Sequence, residues 1–229
     1  MLDMFQTSAF WLALGQIIII NIMLSGDNAV VIALASRSLP PKQQKMAIMF
    51  GSVGAIVLRV VLTFFAVMLL ELPFLKLAGG LALLWIGAGM LAGDDEESGP
   101  DAHANLSAAI RTIIVADFIM SLDNVLGVAA AAKGNVVLLV IGLAISIPLI
   151  IFGSQLILKL MERFPVVITL GAALLGWVAG EMLVEDTSVS GWIEASAHFL
   201  HYAIPVVCAV LVVIAGKWMA SRKYEAVSA

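Results

Sequence analysis

The sequence predicts an all-α, polytopic membrane protein: seven transmembrane helices, built as two inverted three-helix repeats plus a C-terminal helix. Three observations carry that expectation. Of 229 residues, 62% are apolar and 12% charged, where soluble domains run near half and a quarter. The mean hydropathy is +1.09. Seven apolar runs stand apart, most near the roughly 20 residues that span a bilayer, and two of them carry the same polar element at an offset of 96.

The runs cover about 9–36, 43–70, 73–92, 106–132, 135–158, 165–184 and 199–220. Their breaks are Pro40-Pro41, Leu72-Pro73, the acidic stretch Gly93–Pro100, Lys133-Gly134-Asn135, Phe164-Pro165 and Glu185–Gly191. One transmembrane domain follows: repeat A over 9–92, an acidic linker over 93–105, repeat B over 106–184 and the seventh helix over 199–220. Met1-Leu2-Asp3 lacks the basic n-region of a cleaved signal, so the first run is read as a retained helix. If the spans alternate, Arg37, Lys42, Lys45, Arg111, Lys159, Arg163, Lys217, Arg222 and Lys223 share one side, against Lys76 and Lys133. Positive charge marks the cytoplasmic side, which puts the N-terminus outside and the C-terminus inside the cytoplasmic membrane. Cys208 is the single cysteine, so no disulfide forms within the chain. A net charge of −4 without a basic run disfavours nucleic acid. The linker Asp94-Asp95-Glu96-Glu97 is read first as a solvated tether, with cation collection as the alternative.

Span 1 contains Asn21, Ser25, Asp27 and Asn28; span 4 contains Asp117, Ser121, Asp123 and Asn124 at the matching positions. Span 3 also echoes span 6 at an offset of 92, through Gly79, Leu83, Trp85 and Met90 against Gly171, Leu175, Trp177 and Met182. Three spans per repeat is odd, so the repeats must cross in opposite directions, with a site where they meet at the midplane. Asp27 lies ten residues before Arg37, and Asp123 ten before Lys133. Ten helical residues rise about 15 Å, half of a ~30 Å hydrocarbon core. An aspartate at that depth costs roughly 2.5–3.5 kcal/mol and needs a reason. Structural polar contacts between helices are the bland alternative. Asn21, Ser25 and Asn28 share a helical face, as do Asp117, Ser121 and Asn124, while Asp27 and Asp123 point about 120° away. A break near Ser25-Gly26 brings them to one point; with Leu122 in place of Gly26, span 4 signals its break less clearly.

All these ligands are oxygens, with neither Cys nor His nearby, which favours a hard divalent cation such as Mn²⁺, Mg²⁺ or Ca²⁺. Arg59 lies mid-span and must be paired. It is read either as a counter-charge that leaves when metal binds or as a permanent partner of an aspartate. Glu181, Glu185 and Asp186 are assigned to interfacial solvation ahead of an exit vestibule, and His198 and His201 to the interface. Gly176-xxx-Gly180 and Gly89-xxx-Gly93 read as packing surfaces.

With Ser25-Gly26-Asp27-Asn28 and Ser121-Leu122-Asp123-Asn124 in place, the chain resembles the TerC family of integral membrane proteins, in its small YjbE-like branch. The resemblance implies Mn²⁺ efflux, with Asp27 and Asn28, and Asp117, Asp123 and Asn124, as the metal site. Many relatives have an acid where this chain has Asn21.

The expectation is therefore a metal exporter and not an enzyme. The chain has no phosphate-binding Gly-x-x-x-x-Gly-Lys loop, so an ion must flow inward. Protons exchanging on Asp27, Asp117 and Asp123 would serve. The expected partners are the divalent ion, protons and lipid, with a homo-oligomer left open. An accessory protein that supplies metal to a secretion complex, or stabilises it, is the alternative. An intramembrane aspartyl protease is remote, because it would want a Gly-x-Gly-Asp loop and unlike halves.

Overall fold

The computed structural model describes residues 8–23, 26–70, 72–93, 102–132 and 135–228, without the side chains of 8, 9, 21–23, 66, 67, 70, 102–104, 123, 126, 129–131 and 224–228. The acidic stretch 94–101, Ser25, Glu71, Lys133 and Gly134 lie outside the described residues. Every described element is a helix: α1 (Ser8–Met23), α2 (Gly26–Ser36), α3 (Pro41–Leu70), α4 (Leu75–Ala92), α5 (Ala102–Ala132), α6 (Val136–Arg163), α7 (Val166–Val184), α8 (Ser190–Ser196) and α9 (Leu200–Ser228). Six of them, α3 to α7 and α9, contain stretches long and apolar enough to cross a membrane.

The first apolar run is carried by two helices. At 1.5 Å per residue, α1 and α2 are about 24 and 16 Å long, each too short to cross alone. Gly26, costly in a helix interior by about 1 kcal/mol, opens α2. Elsewhere the punctuation acts as its chemistry dictates. Pro41 takes the first position of α3, where its missing N–H costs nothing. Asn135 caps α6 by accepting from Leu138 N at 3.1 Å. Gly93 closes α4 in the left-handed conformation, φ 78°. Several helices outrun the apolar pattern: α5 begins at Ala102, α6 ends at Arg163 and α9 reaches Ser228. Hydropathy marks only the part that meets lipid, whereas backbone hydrogen bonds carry a helix on into water. The short α8 was not expected; buried Ile193 seats it.

Polarity is turned inside out relative to a soluble fold. Trp11, Phe64, Phe65, Phe152 and Ile214 face outward, while Arg59, Asp117, Ser121 and Asn28 are buried. Helix α3 packs along α5, and α6 packs along α1 and α2. Helices α4, α7 and α9 form a second group, joined to the first through α4 on α5 and α2 on α7. Small residues set the closest approaches. A Cβ on Gly51 would meet Ile113 at 2.8 Å, and one on Gly142 would collide with Ile17. A Cβ on Gly176 would meet the backbone of Ala209 at 2.7 Å, and one on Gly180 would strike Pro205, so this pair packs α7 against α9 as its spacing implies.

Candidate functional site

The polar centre is built from α2, α3 and α5. Asp27 sits in the first turn of α2, where a negative charge is favoured by the helix dipole. One of its carboxylate oxygens accepts from the backbone N–H of Asn28 at 2.8 Å. The continuous α2 from Gly26 to Ser36 gives the ten-residue rise to Arg37 its expected length of about 15 Å. Arg37 anchors the other end by donating to Met90 O of α4 at 2.8 Å, a cation at a helix C-terminus.

From α3, Arg59 reaches α5. Its Nη2 donates to Asp117 Oδ1 at 2.7 Å and its Nε donates to Ser121 Oγ at 3.0 Å. The Ser121 hydroxyl in turn donates to Asp117 Oδ2 at 3.1 Å. Arg59 is 1% exposed and Asp117 and Ser121 are buried with it, so the charges are compensated where water does not reach. Asp117 and Ser121 stand four residues apart on one face of α5, which lets a single guanidinium engage both. Helix α2 also packs against α5, which brings the two motif-bearing helices together.

Asn28 is the orphan of the group. It is 2% exposed, yet among the described residues neither its side-chain nitrogen nor its side-chain oxygen has a hydrogen-bond partner. A buried amide left unpaired costs on the order of 1–3 kcal/mol per polar group. The hydroxyl of Ser52 is likewise buried and unpartnered. Ser52 was missed in the sequence, though it stands seven residues before Arg59 and therefore on its helical face. Ser146 and Ser154 of α6 satisfy themselves on carbonyls of their own helix, Gly142 O and Ile150 O.

Among the other expected ligands, Asn124 is partly buried on α5. Asn21 and Asp123 lie in α1 and α5 with side chains outside the description, and Ser25 lies outside it altogether. Among the described residues, no three His, Cys, Asp or Glu side chains gather in a metal-holding group.

Of the outer acidic residues, Glu181 and Glu185 are exposed, as interfacial solvation requires, and Asp186 is buried. Asp186 accepts from Phe74 N at 3.2 Å, Leu77 N at 3.1 Å and Ser188 N at 2.9 Å, which caps the start of α4. Burial opposes its charge, but the amides of Ser188, Leu77 and Phe74 and the Ser188 hydroxyl outweigh it and hold the carboxyl below its ordinary range. Asp186 is thus a structural cap at the rim and not a solvated interfacial acid. Glu185 pairs with Lys76 at 3.3 Å, and Glu181 accepts from Trp177 Nε1 at 2.8 Å.

Comparison with known proteins agrees with this architecture. The model of the family described as "Integral membrane protein TerC family" matches residues 6–224. The Bacillus subtilis "Uncharacterized membrane protein YjbE" is 42% identical over 206 residues, covering 90% of this chain and 94% of its own length. The Escherichia coli K12 "UPF0053 inner membrane protein YgdQ" is 26% identical, over 78% of this chain and 83% of its own. No solved structure matches.

Proposed function

The chain belongs to the TerC family of integral membrane proteins, and from that premise we propose that it exports a divalent metal cation, Mn²⁺ first among candidates, in exchange for protons. The buried Asn28 amide beside Asp27 carries the reading. Its unpaired oxygen is a hard donor next to a carboxylate, which suits Mn²⁺, Mg²⁺ or Ca²⁺. Asp123, Asn124, Ser121, Ser25 and Asn21 would complete the oxygen set, and a break near Ser25-Gly26 would free backbone carbonyls as further donors.

Charge balance supplies the coupling. Asp27, Asp117 and Asp123 with Arg59 leave a net charge of −2, which one divalent ion or two protons would neutralise. Without metal Arg59 would hold Asp117, as it does through Nη2; on metal binding the guanidinium would turn from Asp117, which joins the ligands, while its charge stays within the site and keeps the balance at −2. Extruding a divalent ion against an inside-negative potential costs roughly 4.6 kcal/mol per 100 mV, at 2.3 per charge. Two inward protons cancel that cost. The protein moves its substrate and does not transform it.

The proposed frame is seven crossings, with α1 and α2 together making the first, and two inverted repeats. Its support is the exchange of packing partners: α3 on α5 corresponds to α6 on α1 and α2. The Gly51–Ile113 contact maps onto Gly142–Ile17, at offsets of 91 and 96. The basic residues favour a cytoplasmic C-terminus, and the name of YgdQ favours an inner membrane.

The test is a proteoliposome assay with purified protein, an imposed Mn²⁺ gradient and a trapped pH dye. Mn²⁺ flux with opposite proton flux is expected, lost in Asp27→Asn and in Asp123→Asn while both variants remain inserted. Mn²⁺ flux without proton movement sinks the coupling; normal flux in both variants sinks the site.

A further inference from the structure

Two grooves meet at Trp85, and nothing in the transport reading uses either. The first, about 660 Å³, lies between α4 and α5 and is lined by Trp85, Ile86, Ser107, Arg111, Thr112 and Val115. The second, about 390 Å³, lies between α4 and α9 and is almost wholly apolar, with Leu81, Leu84, Ala88, Leu211 and Trp218 in its walls. Trp85 belongs to both and is 73% exposed.

Arg111 sets the chemistry of the first groove. It is the seventh residue of the apolar stretch Asn105–Leu122, and it faces outward. No hydrogen bond or ion pair ties it to any described side chain, in contrast to buried Arg59. An arginine on the outer face of a membrane helix must snorkel to water or find an anion at headgroup depth. Its planar fork suits a phosphate, and hydroxyl-bearing Thr112 stands beside it. Further positive charge lies close by, because the Arg222 guanidinium stacks 4.1 Å above the Trp218 ring at the end of the apolar groove. A polar, basic groove and an apolar one, divided by a single indole, match the two ends of a phospholipid.

We propose that this surface is a binding site for one anionic phospholipid, its phosphate held by Arg111 and one acyl chain laid between α4 and α9 past Trp85. Basic pockets between membrane helices are suited to such headgroups. The orientation proposed above places the lipid in the cytoplasmic leaflet; the binding itself does not depend on that orientation or on metal transport.

Native mass spectrometry of the delipidated full chain tests it, with phosphatidylglycerol and phosphatidylcholine added at equal concentration. Wild type should retain one phosphatidylglycerol under conditions that strip phosphatidylcholine. Arg111→Gln should lose that retention about tenfold with an unchanged melting temperature, Arg111→Lys should keep part of it, and Trp85→Ala should weaken retention of both lipids. Equal retention of the two lipids by wild type overturns the site, as does undiminished phosphatidylglycerol binding by Arg111→Gln. Displacement of the lipid by millimolar glycerol phosphate would mean a soluble phosphate pocket, and would overturn the lipid assignment.

Discussion

The Ser-x-Asp-Asn element occurs twice in the chain, and α2 is described from Gly26, within the first copy, whereas α5 runs through the second. The difference lies in their neighbours. In α5, Leu122 and Val125 are buried, and Leu62 packs against Val125 beside the Arg59–Asp117 pair. At the corresponding places the α2 side has Gly26, Ala29 and Gly153, which line an apolar pocket of about 270 Å³ with Ile150. With offsets of 96 for α1/α2 onto α5 and 91 for α3 onto α6, Arg59 and Asp117 correspond to Ile150 and Asn21. Both charges are missing together, as they should be if each is tolerable only beside the other. One half is therefore locked by packing and an ion pair. The other has small residues and is loosely filled. In a carrier, the second half is the one suited to move, because coupled motion needs elements that rearrange at low cost.

The sharpest way to break the comparison is to make the locked half resemble the other. Arg59→Ile alone leaves the Asp117 carboxylate buried and uncompensated and should cost about 3–5 kcal/mol. Adding Asp117→Asn copies the Ile150–Asn21 combination and should recover most of the loss in thermal unfolding of the detergent-solubilised protein. A double variant as unstable as the single would show that the two halves are not equivalent in this way.

Next in size are the helix contacts that the halves share. Gly51→Ala and Gly142→Ala each force a methyl into an isoleucine, Ile113 or Ile17, and should cost about 1–3 kcal/mol apiece. Similar losses in both would support the equivalence of the two interfaces. A neutral Gly142→Ala beside a damaging Gly51→Ala would undermine it.

At the rim, Asp186→Asn removes the charged cap of α4 and should cost about 1–2 kcal/mol at neutral pH. A carboxyl whose folded pKa is depressed stabilises above its unfolded value and loses that contribution as pH falls through the folded one. The gap in melting temperature between wild type and variant should therefore close below about pH 4. A gap that persists at lower pH would mean that hydrogen-bond geometry, not charge, holds the cap.

Much of this was legible before any fold was known. Apolar run length marks seven spans, of which six hold described helices long and apolar enough to cross a membrane, and Gly26 signals the opening of α2 because a glycine inside a helix is costly. The paired motifs announce a polar centre, and Arg59 its need for a partner. What sequence hides is which partner. Asp117 and Asp27 are equal candidates on paper, and only the packing of α3 along α5 gives Arg59 to Asp117. Asp186 looks like any interfacial acid until α4 is seen to begin beneath it. Ser52 offers one faint signal, its seven-residue spacing to Arg59, because a serine in an apolar helix ordinarily bonds its own backbone, as Ser146 and Ser154 do.

The smallest effect is the most telling about motion. Gly153→Ala places a methyl 3.8 Å from the Ala29 side chain, an ordinary contact, at the edge of the α2–α6 pocket. Helix propensity favours alanine by roughly 0.8–1 kcal/mol, and lipid-embedded helices gain mainly from close packing. The variant should therefore melt at the same temperature or slightly higher. If the loosely filled seam beside Gly26 is where this looser half rearranges, the same methyl should slow Mn²⁺ flux in proteoliposomes while leaving Mn²⁺ affinity unchanged. A variant that is more stable and equally fast would show that the seam plays no part in the transport cycle, and that the softness of this half is a packing defect alone.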